Sequence, residues 1–504
     1  MATELLESGW DGFSSDRARD QLPKGVAYRL RDYLPNLESP SRKRGGWKFA
    51  STDLGLISSS TYLTGMGWYQ RPDITTDDHL VVVADNGKVY SVKTYDGTGG
   101  TSIGSVNSVV PTKSNPIYTT WGDLLIFPGE RASGKTMHKY YWNGSAYALT
   151  SVAADATYAL GSSWGNVTVL AGNYALPKRV HFSIDSGYTV PTNQWWDMPG
   201  NVVGLASIPN VVIVFGNEDT WGLIGSQIPP GGDMQERVLF GGVGCMDPRS
   251  IVQSSSYVIW ASQTGIYKTD GTAPIDLTYN GGLGIQNFWR DLVAGFKYGD
   301  NWSAAAGQYG NRYVISIHDS AGSLQGTLMY DLDRQRWYEL TNFEASCYAH
   351  KPGSAGTSTA TGEEELFFGL RTASRAAKVS PIWTPSSTNA EDGDGMDVLP
   401  EVETGYYRLG LTQPKRVRRV WLGYDMRGDN GPEMEVAWTG TPDSQVYTPS
   451  PDLLPSTTSH QRLPAEIRDK VLGVAFKLRQ TAPSDDTRIY TFEGDGHAFE
   501  EFRR

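Results

Sequence analysis

Residues 210–223 read NVVIVFGNEDTWGL. An unbroken apolar run, Val211 to Phe215, ends in a polar turn and resumes with an aromatic residue at Trp221. A short continuous apolar run bounded by turn residues is the pattern of a strand covered on both faces. The same phrase recurs along the chain as HLVVVADNGKVYSV (79–92), DLLIFPG (123–129), NVTVLAG (166–172), YVIWASQTGIYKTDG (257–271), RYVISIHDSAG (312–322) and ELFFGLRTASRAAKV (365–379). With Leu80, Leu124, Val167, Val211, Val258, Tyr313 and Leu366 as equivalent anchors, successive separations are 44, 43, 44, 47, 55 and 53 residues. Several short strands repeating at that period are the mark of β-propeller blades. The apolar runs read as inner blade strands. The aromatic or alternating segments that follow (KVYSV, MHKYYW, KRVHFSI, LMYDLDRQRWYEL) read as outer ones.

The two longest separations contain insertions. In IQNFWRDLVAGF, Ile285, Phe288, Trp289, Leu292 and Val293 fall at helical spacing, which predicts a short amphipathic helix. KPGSAGTSTATGEEE (351–365) has the composition of a flexible loop. After Pro381, a Ser-, Pro-, Gly- and acid-rich stretch leads to alternating segments at Val420/Leu422/Tyr424, Met434/Val436/Trp438, Val474/Phe476/Leu478 and Tyr490/Phe492. These predict half-buried antiparallel strands. The expected fold is therefore all-β: an extended N-terminal arm (1–55), a propeller of about seven blades (56–381), and a linker with a small sandwich-like β domain (382–504). An extended arm brings little core of its own, so the propeller is expected to fold without it.

The chain has 504 residues, 20% of them charged and 39% hydrophobic, with 57 glycines and 27 prolines. That suits many short strands and tight turns. The N-terminal stretch has no apolar leader, no run approaches a membrane span, and two cysteines cannot make a disulfide framework, so a reducing cytoplasm is the expected site of synthesis. A net charge of −11 argues against broad electrostatic capture of nucleic acid.

Gly129-Glu130-Arg131-Ala132-Ser133-Gly134-Lys135-Thr136 matches the phosphate-loop pattern, which is functional only between a buried strand and a helix. Here the following residues, MHKYYWNGSAY, predict a hairpin, so a β-loop without nucleotide is expected. Ser183-Ile184-Asp185-Ser186-Gly187-Tyr188-Thr189 is close to the Asp-box turn of sialidase propellers, with Val190 in place of its closing aromatic. It reads as a folding turn. In Asp392-Gly393-Asp394-Gly395-Met396-Asp397, Met396 and Asp397 break the calcium-loop pattern that Asp392, Asp394 and Glu403 would fit, so an acidic loop is expected. The seven histidines lack zinc spacing, and there is no G-x-S-x-G elbow. No catalytic residue, metal or cofactor is assigned, although carboxylates from different blades could still meet across a propeller channel. Two basic clusters stand out on the acidic chain: Arg42-Lys43-Arg44, and Lys415, Arg416, Arg418 and Arg419. They are candidates for subunit-interface contacts.

The arm LPKGVAYRLRDYLPNLESPSRKRGGWKF, the block GCMDPRSIVQSSSYVIWASQTGIYKTDG (244–271) and KRVRRVWLGYD together resemble the tail hub or nozzle proteins of short-tailed bacteriophages, also called packaged-DNA stabilisation proteins. The resemblance implies a structural virion protein rather than an enzyme. It would form a homohexameric ring at the distal end of the head-to-tail channel, assembled in the host cytoplasm. Its partners would be copies of itself, tail adaptor or tube proteins, and a tail spike or fibre. DNA would pass without specific binding, and no membrane insertion is implied. The alternative is a propeller that binds, and possibly trims, host-surface glycans as a receptor-binding tail protein.

Overall fold

The computed structural model describes, between 62 and 371, residues 62–71, 77–93, 100–106, 114, 116–128, 136–152, 158–230, 232–279, 283–298, 302–352 and 364–371. It also describes 3–7, 12–17, 21–23, 26–34, 42–43, 48–49 and 54 of the arm, and strand segments within 376–498. The architecture is all-β in a propeller arrangement with almost no helix among the described residues.

Five four-stranded antiparallel sheets follow in chain order, running from Leu63–Tyr69 to Thr101–Ser105, Ile117–Tyr118 to Tyr147–Ser151, Leu160–Trp164 to Trp195–Asp197, Gly204–Ile208 to Gln235–Phe240, and Val252–Gln253 to Ile275–Asp276. A sixth blade closes the ring: Ala345–Lys351, Glu365–Leu370 and Ala376–Lys378, with Lys48–Phe49 from the arm as its outermost strand. The expectation of about seven equivalent blades is corrected to six separate ones. The anchor Tyr313 belongs instead to a meander, Ser303–Tyr309 to Arg336–Leu340, that opens an eight-stranded sheet. That composite sheet continues through Arg29–Arg31, Glu401–Glu403, Val474–Arg479 and Glu433–Trp438.

All seven anchors lie on the second strand of their units, not the innermost. The innermost strands, such as LTGMGWY (63–69) and SAAAGQY (303–309), are rich in small residues because neighbouring strands converge at the axis. A Cβ on Gly67 would lie 2.8 Å from Pro116, and one on Gly307 would lie 2.8 Å from both Tyr348 and Leu366. The second strands sit further out, sandwiched between neighbouring blades, so they carry the apolar runs. The predicted helix is present as Gln286–Leu292, with Ile285, Trp289, Leu292 and Val293 buried.

The arm is built into the molecule. Phe13, Ala27 and Leu30 are buried in the largest hydrophobic cluster with Trp337 and Val402, and the Phe13 ring meets Phe288 edge-on at 5.6 Å. Arg29–Arg31 pairs in parallel with the last strand of the meander and antiparallel with Glu401–Glu403. Ion pairs reinforce this seam: Arg29 makes a two-point contact with Glu339 at 2.7 and 2.8 Å, and Arg31 reaches Glu339 and Glu401. Thr3–Glu7 joins a second large sheet, alongside Asp486–Ala498 and Lys415–Arg427.

Because the arm supplies both core and an edge strand, deleting residues 1–55 should abolish the cooperative thermal transition. Phe13→Ala alone should cost about 3–5 kcal/mol in urea unfolding, the usual toll for emptying a buried aromatic site. A wild-type transition in both variants would mean that the arm only rests on the surface.

Candidate functional site

Among the described residues, a groove of about 980 Å³ runs along the face formed by the first and last hairpin turns of the blades. Three adjacent blades build it. Two-residue turns place Gly165-Asn166 between Trp164 and Val167, and Pro209-Asn210 between Ile208 and Val211. Ser254 and Ser255 come from the corresponding turn of the next blade. Gly165 and Asn210 both have positive φ (56° and 66°), which lets the hairpins reverse in two residues. The loop from Ser226 to Pro230 forms one wall, and the Asp233 carboxylate pins it by accepting from the Ser226 and Gln227 amides at 2.8 and 3.0 Å. Opposite lie Ile184 and Gln194, from the loop that holds the Asp-box sequence. That sequence is a folding turn as expected: the Asp185 carboxylate accepts from the Thr189 amide at 2.9 Å. Its Tyr188 hydroxyl donates to Asp123 on the preceding blade.

The groove floor is rigid. Gln253 Oε1 accepts from the Ser207 amide and the Ser162 hydroxyl, both at 3.1 Å, and its Nε2 donates to Ser207 Oγ at 3.3 Å. Trp164, Val167 and Ile228 pack against a buried cluster beneath, so the apolar part of the groove continues into the core.

A second, smaller cavity of about 360 Å³ lies among the innermost strands, lined in part by Met66, Trp68, Arg249, Gln308, Cys347 and His350. No carboxylate lines either cavity, so the acid pair considered across the channel has no counterpart there. Burial pushes the Cys347 thiol up to about 11, with Arg249 partly opposing, so it is a poor nucleophile near neutrality.

The residues singled out in the sequence lie elsewhere. Residues 129–135 of the phosphate-loop match fall outside the described residues, but Leu124–Ile126 and His138–Trp142 on either side pair antiparallel, so a strand follows where a helix would be required. Glu391–Asp392 and Met396–Asp397 pair as a small hairpin. Arg42 and Lys43 form a short strand, with Arg42 opposite Arg488; Arg44 falls outside the described residues. Lys415, Arg416, Arg418 and Arg419 lie on Lys415–Arg427, where Arg416 faces His497 in register. Both clusters thus share one sheet, at opposite ends of Asp486–Ala498 and about 30 Å apart at 3.3 Å per residue. They make two separate basic spots. The groove escaped notice in the sequence because its residues come from turns far apart in the chain. The available signal was that turns on one face, WGNV, IPNV and QSSSY, all lack charge.

No protein-family model and no curated protein matches the chain. Among solved structures, the chain is similar to the AfRom2 CNH domain, at 10% identity over 66% of this chain and 99% of that domain, with a TM-score of 0.36.

Two buried histidines give the fold a pH dependence. Neither ring nitrogen of His181 or His318 has a hydrogen-bond partner. Burial, helped by Arg179, lowers His181 to about 4; burial, helped by Arg371 and Arg249, lowers His318 to about 3. Above the ordinary value of 6.5 both are neutral in either state, and their contribution is complete. As pH falls below that value, the unfolded chain takes up protons the folded chain refuses. Stability should therefore drop between pH 6.5 and about 4, by about 1.4 kcal/mol per histidine per pH unit. Urea midpoints across this window should show the decline, and it should flatten in a His181→Phe/His318→Leu double variant. An unchanged slope would assign the effect to other groups.

Proposed function

We propose that this protein is a structural subunit of a bacteriophage tail: a hub or nozzle ring, most simply a homohexamer, at the distal end of the head-to-tail DNA channel. The observation that carries the reading is how the stretches resembling such proteins are joined. The arm contributes strands to the closing blade and the composite sheet, and Arg42–Lys43 and Lys415–Arg427 flank the same strand in the second large sheet. A subunit whose N-terminal arm pairs with strands from distant parts of the chain is suited to bear load in an assembly. We read the second sheet and the C-terminal part of the composite sheet as the two layers of a sandwich-like domain.

In this role the protein works in the virion tail without cofactor or catalysis, beside adaptor or tube proteins and a spike or fibre. The net charge of −11 suits a wall along which DNA slides, because carboxylates offer the duplex no counterion-releasing contacts. The basic spots would then serve neighbouring subunits, where like charge would otherwise oppose assembly.

Sedimentation of the purified chain should show a closed oligomer. Arg416→Glu/Arg418→Glu should dissociate it in a salt-dependent way, with the thermal midpoint of the monomer unchanged. A monomer at all concentrations, or wild-type oligomers in the double variant, would contradict the assignment.

A further inference from the structure

We infer that the large groove across the third, fourth and fifth blades is a binding site for a neutral oligosaccharide, which goes beyond a purely structural role. The first argument is charge. A fifth of the chain is charged, yet none of the groove's lining residues is. An anionic ligand such as a nucleic acid or phosphorylated sugar would need Lys or Arg, and a cationic one would need carboxylates. The lining selects for an uncharged partner.

The second argument is the kind of polarity present. Five serines, two asparagines and three glutamines line the groove, interleaved with Trp164, Ile184, Ile228 and prolines. Amides and hydroxyls donate and accept together, matching the vicinal hydroxyls of a sugar, while an aromatic ring offers its face to the sugar's C–H surface. A volume of about 980 Å³, lined from three adjacent blades, is at the upper end of ligand sites and fits several linked sugar units better than one compact molecule.

The third argument is preorganisation. Gln253 is fixed from below by Ser162 and Ser207, and the Ser226–Pro230 wall is fixed by Asp233, so little ordering is lost on binding.

The test is a glycan array carrying neutral, acidic and amino-sugar oligosaccharides, followed by titration of the best neutral binder against the full-length protein. Binding should be confined to neutral glycans of three or more units and should be insensitive to salt between 50 and about 500 mM, unlike charge-driven binding. Trp164→Ala should weaken it at least tenfold. Because Trp164 also rests on the core, Ser254→Trp provides a second variant: it fills the groove from a turn position and should block binding with the thermal midpoint unchanged. No neutral glycan bound, a preference for charged glycans, or wild-type affinity in Ser254→Trp would each overturn the proposal.

Discussion

The guanidinium of Arg249 is buried and paired with the equally buried Asp247. Taking both ions out of water costs several kcal/mol each, and such a pair persists only when every remaining hydrogen-bonding position is filled. Here they are filled from around the ring. Arg249 grips Asp247 at two points, and it donates to the carbonyls of Thr64 and Ser346 and the hydroxyl of Ser303. Asp247 also accepts from the Ala304 amide. Burial opposes the charge on Arg249, but Asp247 more than offsets it and holds the guanidinium above its ordinary value. The partners lie at the starts of the innermost strands of the first blade, the composite sheet and the closing blade. One side chain, carried on the connection into the fifth blade, therefore ties the ring where its two ends meet.

Closure is where a propeller is weakest, because the first and last blades are joined by packing rather than by a short connection. This chain strengthens that region repeatedly. Lys48–Phe49 completes the closing blade, and Arg29–Arg31 extends the composite sheet. The third to fifth blades, away from the closure, keep short turns and an uncharged groove. Arg249 sits at the starts of the inner strands, whereas Trp164, Ile208 and Gln253 lie at their ends, so closure and groove occupy opposite faces of the ring.

The period was legible because second strands, covered on both faces, must be continuously apolar; Leu80, Val211 and Val258 report it directly. The helix at Gln286–Leu292 was legible for the matching reason, a stripe at helical spacing. The innermost strands were not, since crowding at the axis favours Gly and Ala, and SAAAGQY has no period to read. Tyr313 looked like any other anchor because its own strand is ordinary; only long-range pairing with Arg29–Arg31 and Glu401–Glu403 makes its sheet composite. Such pairing leaves no local trace. Nor does the Arg249 clamp, whose partners span residues 64 to 346. The groove had only a faint trace, the missing charge in three distant turns.

The central claim is that Arg249 and Asp247 couple the first blade, the composite sheet and the closing blade. Replacing both, as Asp247→Leu/Arg249→Met, removes the charges together and avoids stranding one of them. Hydrogen–deuterium exchange of that variant under native conditions measures the coupling strand by strand. Amides of Leu63–Tyr69, Ser303–Tyr309 and Ala345–Lys351 should exchange faster, while those of Leu160–Trp164 and Val211–Phe215 keep wild-type protection. Unchanged exchange in the first three strands, or an equal increase in all five, would contradict it.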